Sequence, residues 1–201
     1  MSAGARPGAE AAVFSRRVYT LPGFLAALLD GAAHLPELAR AARGGRVSRA
    51  QAEKIMLAVT QVNNCRYCRL GHSYAASRAG VSRAEIESLL AGDWSPFPAQ
   101  ETAALAFARH YAESEEQPDP AAWEALVAAC GPAQARDALA YMRMITIGNL
   151  LGNTFDALLS RLRGRPALDS RLLDEAGVLL TALGLLLLPA AGLYALARRL
   201  L

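Results

Sequence analysis

A chain of 201 residues with 53% apolar and 19% charged side chains has the material for one domain with a sizeable core. Aromatic residues make up only 6%, and no stretch alternates Val, Ile or Thr with polar residues, which excludes a β fold and leaves an all-α one. The net charge of +3 is scattered rather than gathered into a basic stripe, which argues against nucleic acid, and an odd set of 3 cysteines is poor material for a secreted disulfide framework.

Residues 1–12 are small, polar and punctuated by Gly and Pro, without the charged start and apolar run of a signal peptide, and read as a disordered lead-in. The domain that follows, 13–165, opens with two short helices, one from Leu21-Pro22 through Leu29 and one from Leu35 to Ala42 that ends at Gly44-Gly45. Ser48 with Gln51 reads as a capping box for a helix whose apolar face includes Ile55, Met56, Val59 and Val62, with Glu53 in its second turn. A helix beginning near Asn63 and Asn64, both good N-caps, carries Cys65, Cys68 and His72 at i, i+3 and i+7 on one face. Gly80 closes it, and Ser82 with Glu85 repeats the capping signature before Ile86, Leu89 and Leu90. Beyond an Asp93–Pro98 loop come helices over Gln100–Ala112 and Trp123–Ala129, then a longer pattern from Ala133 to Leu162 with an interruption expected around Gly148–Gly152.

The run 176–197 carries no charge, has no polar face and is long enough for a bilayer's hydrocarbon core, so it reads as a membrane anchor or else as a helix covered by an oligomer partner. Arg161, Arg163, Arg165 and Arg171 precede it and only Arg198 and Arg199 follow, a bias that puts the domain on the cytoplasmic side of a membrane.

The chemistry concentrates in Cys65-Arg66-Tyr67-Cys68-Arg69-Leu70-Gly71-His72. Thiolate is the reactive form of a cysteine, and both a helix N-terminus and an adjacent imidazole favour it. The dipole favours Cys65, which lies nearer the helix start, while His72 favours Cys68, so the residues alone leave open which sulfur attacks first.

Glu53, eleven intervening residues and then Cys65-x-x-Cys68-x-x-x-His72, preceded by VSRAQAEKIMLAV and followed by the Gly80-Val81-Ser82 turn, resemble the AhpD-like alkylhydroperoxidase and carboxymuconolactone decarboxylase family. The wider likeness runs from about Leu21 to Leu162 and includes Asn149 and Asn153. The resemblance implies an oligomeric helical bundle in which Cys68 attacks a hydroperoxide and becomes a sulfenic acid. Cys65 then resolves it as a disulfide, and Glu53 with His72 forms the proton relay, often through water. It implies no metal, flavin or other cofactor, and an external dithiol reductant of thioredoxin or lipoyl type. Tyr67, where some relatives carry a second histidine, is a pocket residue in this reading. Decarboxylating members generally lack the cysteine pair.

Rival readings accompany each residue. Cys65, Cys68, His72 and Glu53 could ligate zinc, or the two cysteines could be inert and packed. A redox sensor or disulfide-exchange module without peroxidase turnover would use the same pair. Glu53 taken alone is an ordinary helix carboxylate, His34 and His110 read as surface residues, and Cys130 as a packed small residue at a helix end.

Overall fold

The computed structural model describes the backbone of residues 14–200 and the side chains of residues 14–187; the 1–12 lead-in lies outside the described residues. Eight helices and no strand are found among them: α1 (Leu21–Gly44), α2 (Arg49–Asn63), α3 (Arg66–Arg78), α4 (Arg83–Ala91), α5 (Ala99–Glu113), α6 (Pro120–Cys130), α7 (Pro132–Leu162) and α8 (Leu172–Leu200). The all-α expectation holds.

Helix α2 forms the centre. Its run from Ala52 to Thr60 is buried on every side, because α3, α4, α5 and α7 all pack around it. Such a helix can carry charge only where partners meet it, and Lys54 does so: its ammonium lies 3.0 Å from Glu85 on α4 and 2.8 Å from Glu101 on α5. The capping signatures behave as the sequence suggests. Ser48 Oγ accepts from the Gln51 N–H at 3.1 Å, and Ser82 and Glu85 form a reciprocal box.

Two expected breaks do not occur. Instead of two short helices, α1 runs unbroken through Gly31 and Pro36. Gly31 sits where α1 crosses α7 so closely that a methyl group there would lie 2.9 Å from Ile147 Cδ1, so packing along α7 overrides the local helix-breaking tendency. Helix α7 is likewise continuous through Gly148 and Gly152, and both glycines keep helical geometry.

The expected membrane span over 176–197 runs past residue 187, where the described side chains end. Among the described residues no helix is long and apolar enough to cross a membrane. The start of α8 is committed to the domain: Val178 is fully buried with Tyr19, Phe24 and Leu150, and Gly177 lies against Leu21. Glu175, with no exposed surface, receives two hydrogen bonds from Arg161 of α7 at 2.8 and 2.9 Å. Leu21 N–H donates to Asp174 at 2.9 Å, tying the starts of α1 and α8 together. What the described part of α8 leaves outside is a leucine face that includes Leu180 and Leu183.

Removing Arg161 strands the buried Glu175 carboxylate. Arg161→Ala therefore lowers the unfolding free energy by about 3 kcal/mol, measured by urea denaturation, whereas the leucine-face change Leu180→Ala stays within about 1 kcal/mol.

Candidate active site

The redox motif begins one residue later than the sequence pattern suggests. Asn64 is not an N-cap but the C-cap of α2, in the left-handed conformation at φ 53°, which an asparagine tolerates better than most residues. The chain turns there, and Cys65 itself becomes the N-cap of α3. Its sulfur accepts the Cys68 N–H at 3.3 Å and lies 2.6 Å from the Cys68 sulfur, with both cysteines free. Cap spacing is what brings the two together, since the side chain that satisfies the third N–H of a helix must hang over the residue that carries it.

The two sulfurs differ in surroundings. Cys65 is 1% exposed, and Cys68 is half-buried. The hydrogen bond from the Cys68 thiol brings the Cys65 thiol down to about 7, helped by the backbone N–H groups of Cys68 and Tyr67 and opposed by burial. The same interaction, with burial and the charge that forms on Cys65, pushes the Cys68 thiol up. The pair thus releases one proton readily and holds the second tightly.

Glu53 and His72 meet directly. His72 lies one turn beyond Cys68 on α3, and its Nδ1 is 2.8 Å from Oε2 of Glu53 on α2. Glu53 is 8% exposed, so the solvated carboxylate it would be on an isolated helix is replaced by a buried acid with one ring partner. With Nδ1 donating to the carboxylate, Nε2 is left as the basic nitrogen on the side of the imidazole away from Glu53.

Helix α7 supplies the back wall, which the motif did not reveal. A methyl group on Gly152 would lie 2.7 Å from Cys65 Sγ and 3.9 Å from Cys68 Sγ, so only glycine lets α7 approach the sulfurs this closely. At the next position Asn153 Nδ2 donates to the carbonyls of Arg17 at 3.0 Å and Asn63 at 2.7 Å, and one turn before Gly152 the Asn149 Oδ1 accepts from Thr60 at 3.1 Å. Asp156 accepts from the Tyr67 hydroxyl at 2.7 Å and pairs with Arg16 and Arg66. Tyr67 stacks at a tilt on Phe155, 5.8 Å between ring centres, so it lies beside the cysteines against α7. The sequence does carry a signal for this wall: Asn149, Gly152, Asn153 and Asp156 fall at i, i+3, i+4 and i+7, a polar stripe on one face of a largely apolar helix.

A cleft of about 330 Å³ lined by Thr60, Gln61, Val62, Asn64, Arg69 and Leu90 reaches the Cys65 side of the pair. A larger one, about 600 Å³, lies between α1 and α7 near Tyr111 and Arg143 and does not include the cysteines. Among the described residues no group of three or more His, Cys, Asp or Glu is arranged to hold a metal ion. The remaining candidates have structural places. His110 Nε2 accepts the Asp119 N–H at 3.0 Å, His34 bonds the Asp30 carbonyl at 2.8 Å, and Cys130 Sγ donates to the Leu126 carbonyl at 3.2 Å.

Residues 27–110 match the family model described as the carboxymuconolactone decarboxylase family. The match is a similarity to that family over less than half of the 201-residue chain. The carboxymuconolactone decarboxylase family takes in AhpD-like proteins, and its members are often enzymes. The matched segment contains Glu53, Cys65, Cys68 and His72, and it stops before α7, so Gly152 and Asp156 lie outside it. No curated protein and no solved structure matches the chain significantly.

Two outcomes follow from this geometry. The ultraviolet absorbance of thiolate rises with a midpoint at about pH 7, and Cys65→Ser removes that step, because the thiolate form exists above the lowered value and is lost below it. Gly152→Ala pushes the Cys65 sulfur off its cap, slows formation of a Cys65–Cys68 disulfide under a mild oxidant, and costs about 1–3 kcal/mol of stability in a thermal melt.

Proposed function

We infer that this protein is a thiol-dependent peroxidase that reduces organic hydroperoxides through the Cys65–Cys68 pair. The observation that carries the reading is the contact of two free sulfurs at 2.6 Å on the cap of α3, within one helical turn of a histidine paired to a buried glutamate. Such a set meets the three needs of the reaction, which are a thiolate to attack, a proton for the departing oxygen and a second thiol close at hand.

In the resting dithiol the charge sits on Cys65 and the proton on Cys68. Cys68 is the more open sulfur, and its S–H passes the proton to His72 Nε2 as it attacks the terminal peroxide oxygen. The O–O bond breaks and an S–O bond forms. The two electrons come from the sulfur, and the alkoxide leaves as an alcohol with a proton from the His72 imidazole, which Glu53 orients. The Cys65 thiolate then attacks the sulfenic sulfur of Cys68; the S–S bond forms as the S–O bond breaks, and the departing hydroxide takes a proton from solvent and leaves as water. Two thiol protons and two electrons of an external dithiol, of thioredoxin or lipoyl type, restore the starting state.

A second reading, disulfide exchange without peroxidase turnover, is favoured by one feature: a Cys65 thiol near neutrality is already charged enough to take part in exchange without a peroxide. Peroxide consumption in the presence of a dithiol separates the two. Under the peroxidase reading the wild type turns over, Cys68→Ser loses at least about 100-fold, and His72→Gln loses about 10- to 100-fold while disulfide formation by a small oxidant persists. Turnover that survives Cys68→Ser overturns it, and a wild type that exchanges disulfides but consumes no hydroperoxide establishes the second reading.

A further inference from the structure

Asp156 has no role in the reaction just described, yet it is the most heavily engaged carboxylate near the sulfurs. It is 5% exposed, on the α7 face that also carries Gly152, one turn further along. It gathers three donors from two parts of the chain: Arg16 Nη1 at 2.7 Å from the segment before α1, the Tyr67 hydroxyl at 2.7 Å, and the Arg66 guanidinium, the last two lying between the cysteines in sequence. Arg16 also reaches the carbonyl of Asn64, the residue just before Cys65, at 3.4 Å. Burying a carboxylate is costly unless donors surround it, and here the donors are the residues that shape the turn bearing both thiols.

We propose that Asp156 is a positioning residue of the dithiol site, clamping Tyr67 and Arg66 to α7 and setting a negative charge behind the Cys65 sulfur. This rests on the redox reading of the pair. The clamp fixes the residues between the two sulfurs, so the approach of Cys68 to Cys65 follows from a tertiary contact as well as from the cap. The charge works the other way on reactivity, since Asp156 opposes the thiolate on Cys65 and keeps its thiol from falling further. The charged and titratable groups around the turn are Arg66 and Tyr67 of α3, Asp156 of α7 and, one turn beyond Cys68, the His72–Glu53 pair of α3 and α2, with Arg16 compensating Asp156 from the N-terminal side.

Asp156→Asn removes the charge and keeps the shape and an oxygen for the Tyr67 hydroxyl. Its thiolate titration moves down by about half a unit or more, because the repulsion is lost and Arg66 is released from its acid. A midpoint unchanged or raised overturns the electrostatic part. Tyr67→Phe keeps the charge and cuts the clamp: disulfide formation under a fixed oxidant slows several-fold while the thiol midpoint stays where it was. A rate equal to the wild type overturns the positioning part. Far-ultraviolet circular dichroism establishes that both variants are folded. The redox reading fails by a different sign, a wild-type protein that forms no Cys65–Cys68 disulfide at all, and the titration of Asp156→Asn still tests the charge in that case.

Discussion

The site depends on one backbone requirement, that the exposed N–H groups at the start of α3 find an acceptor. Cys65 answers it with sulfur. A serine or asparagine would cap equally well, but only a thiol in this place becomes a charged nucleophile stabilised by the same N–H groups, and only a cysteine three residues on can share its proton. The same residue, Cys68, supplies the cap through its N–H and the larger lowering of the Cys65 thiol through its sulfur. The left-handed turn at Asn64 lets the chain leave α2 and present Cys65 to that position within one residue.

Around the cap, each neighbouring helix contributes one kind of constraint. Helix α2 is too deeply buried to leave Glu53 in water, so its carboxylate turns to His72 and fixes the ring. Helix α7 offers a glycine where a side chain would collide with sulfur and an acid where the intervening Tyr67 and Arg66 need an anchor. The two sulfurs are thus held from three directions, which suits a dithiol that must close to a disulfide and reopen with little movement of the backbone. The sulfurs differ in exposure: Cys65 is enclosed, and Cys68 is the more open of the two.

The start of the tail shows what hydropathy leaves out when it is read without partners. A run with no charge from Ala176 onward has the composition of a bilayer span, but its first turns supply Val178 to the core and sit directly after Glu175, whose buried pairing with Arg161 anchors the helix to α7. A window average cannot see that a charged residue just outside it is the deepest carboxylate among the described residues. The same limit applies to Gly31, Pro36, Gly148 and Gly152. Each breaks a helix by local propensity, and α1 and α7 run through all of them because contact along their length outweighs a cost of about 1 kcal/mol for a glycine and about 3 for a proline.

Much was legible before any fold was known. Period and composition determine an all-helical chain, Ser48 and Ser82 mark two helix starts within a residue, and the motif holds two pairs that the structure brings into contact, Cys65 with Cys68 and His72 with Glu53. These features are local or follow one helical face, and short-range physics suffices for them. Three things were decided only by the folded structure: that Cys65 rather than Asn63 or Asn64 caps α3, that burial and the neighbouring thiol push the Cys68 thiol up, and that Gly152 and Asp156 of α7 lie against the turn that carries the cysteines. Each depends on a contact between residues far apart in the chain or on how deeply a group is buried, and neither distance nor depth is written in the order of residues along a single helix.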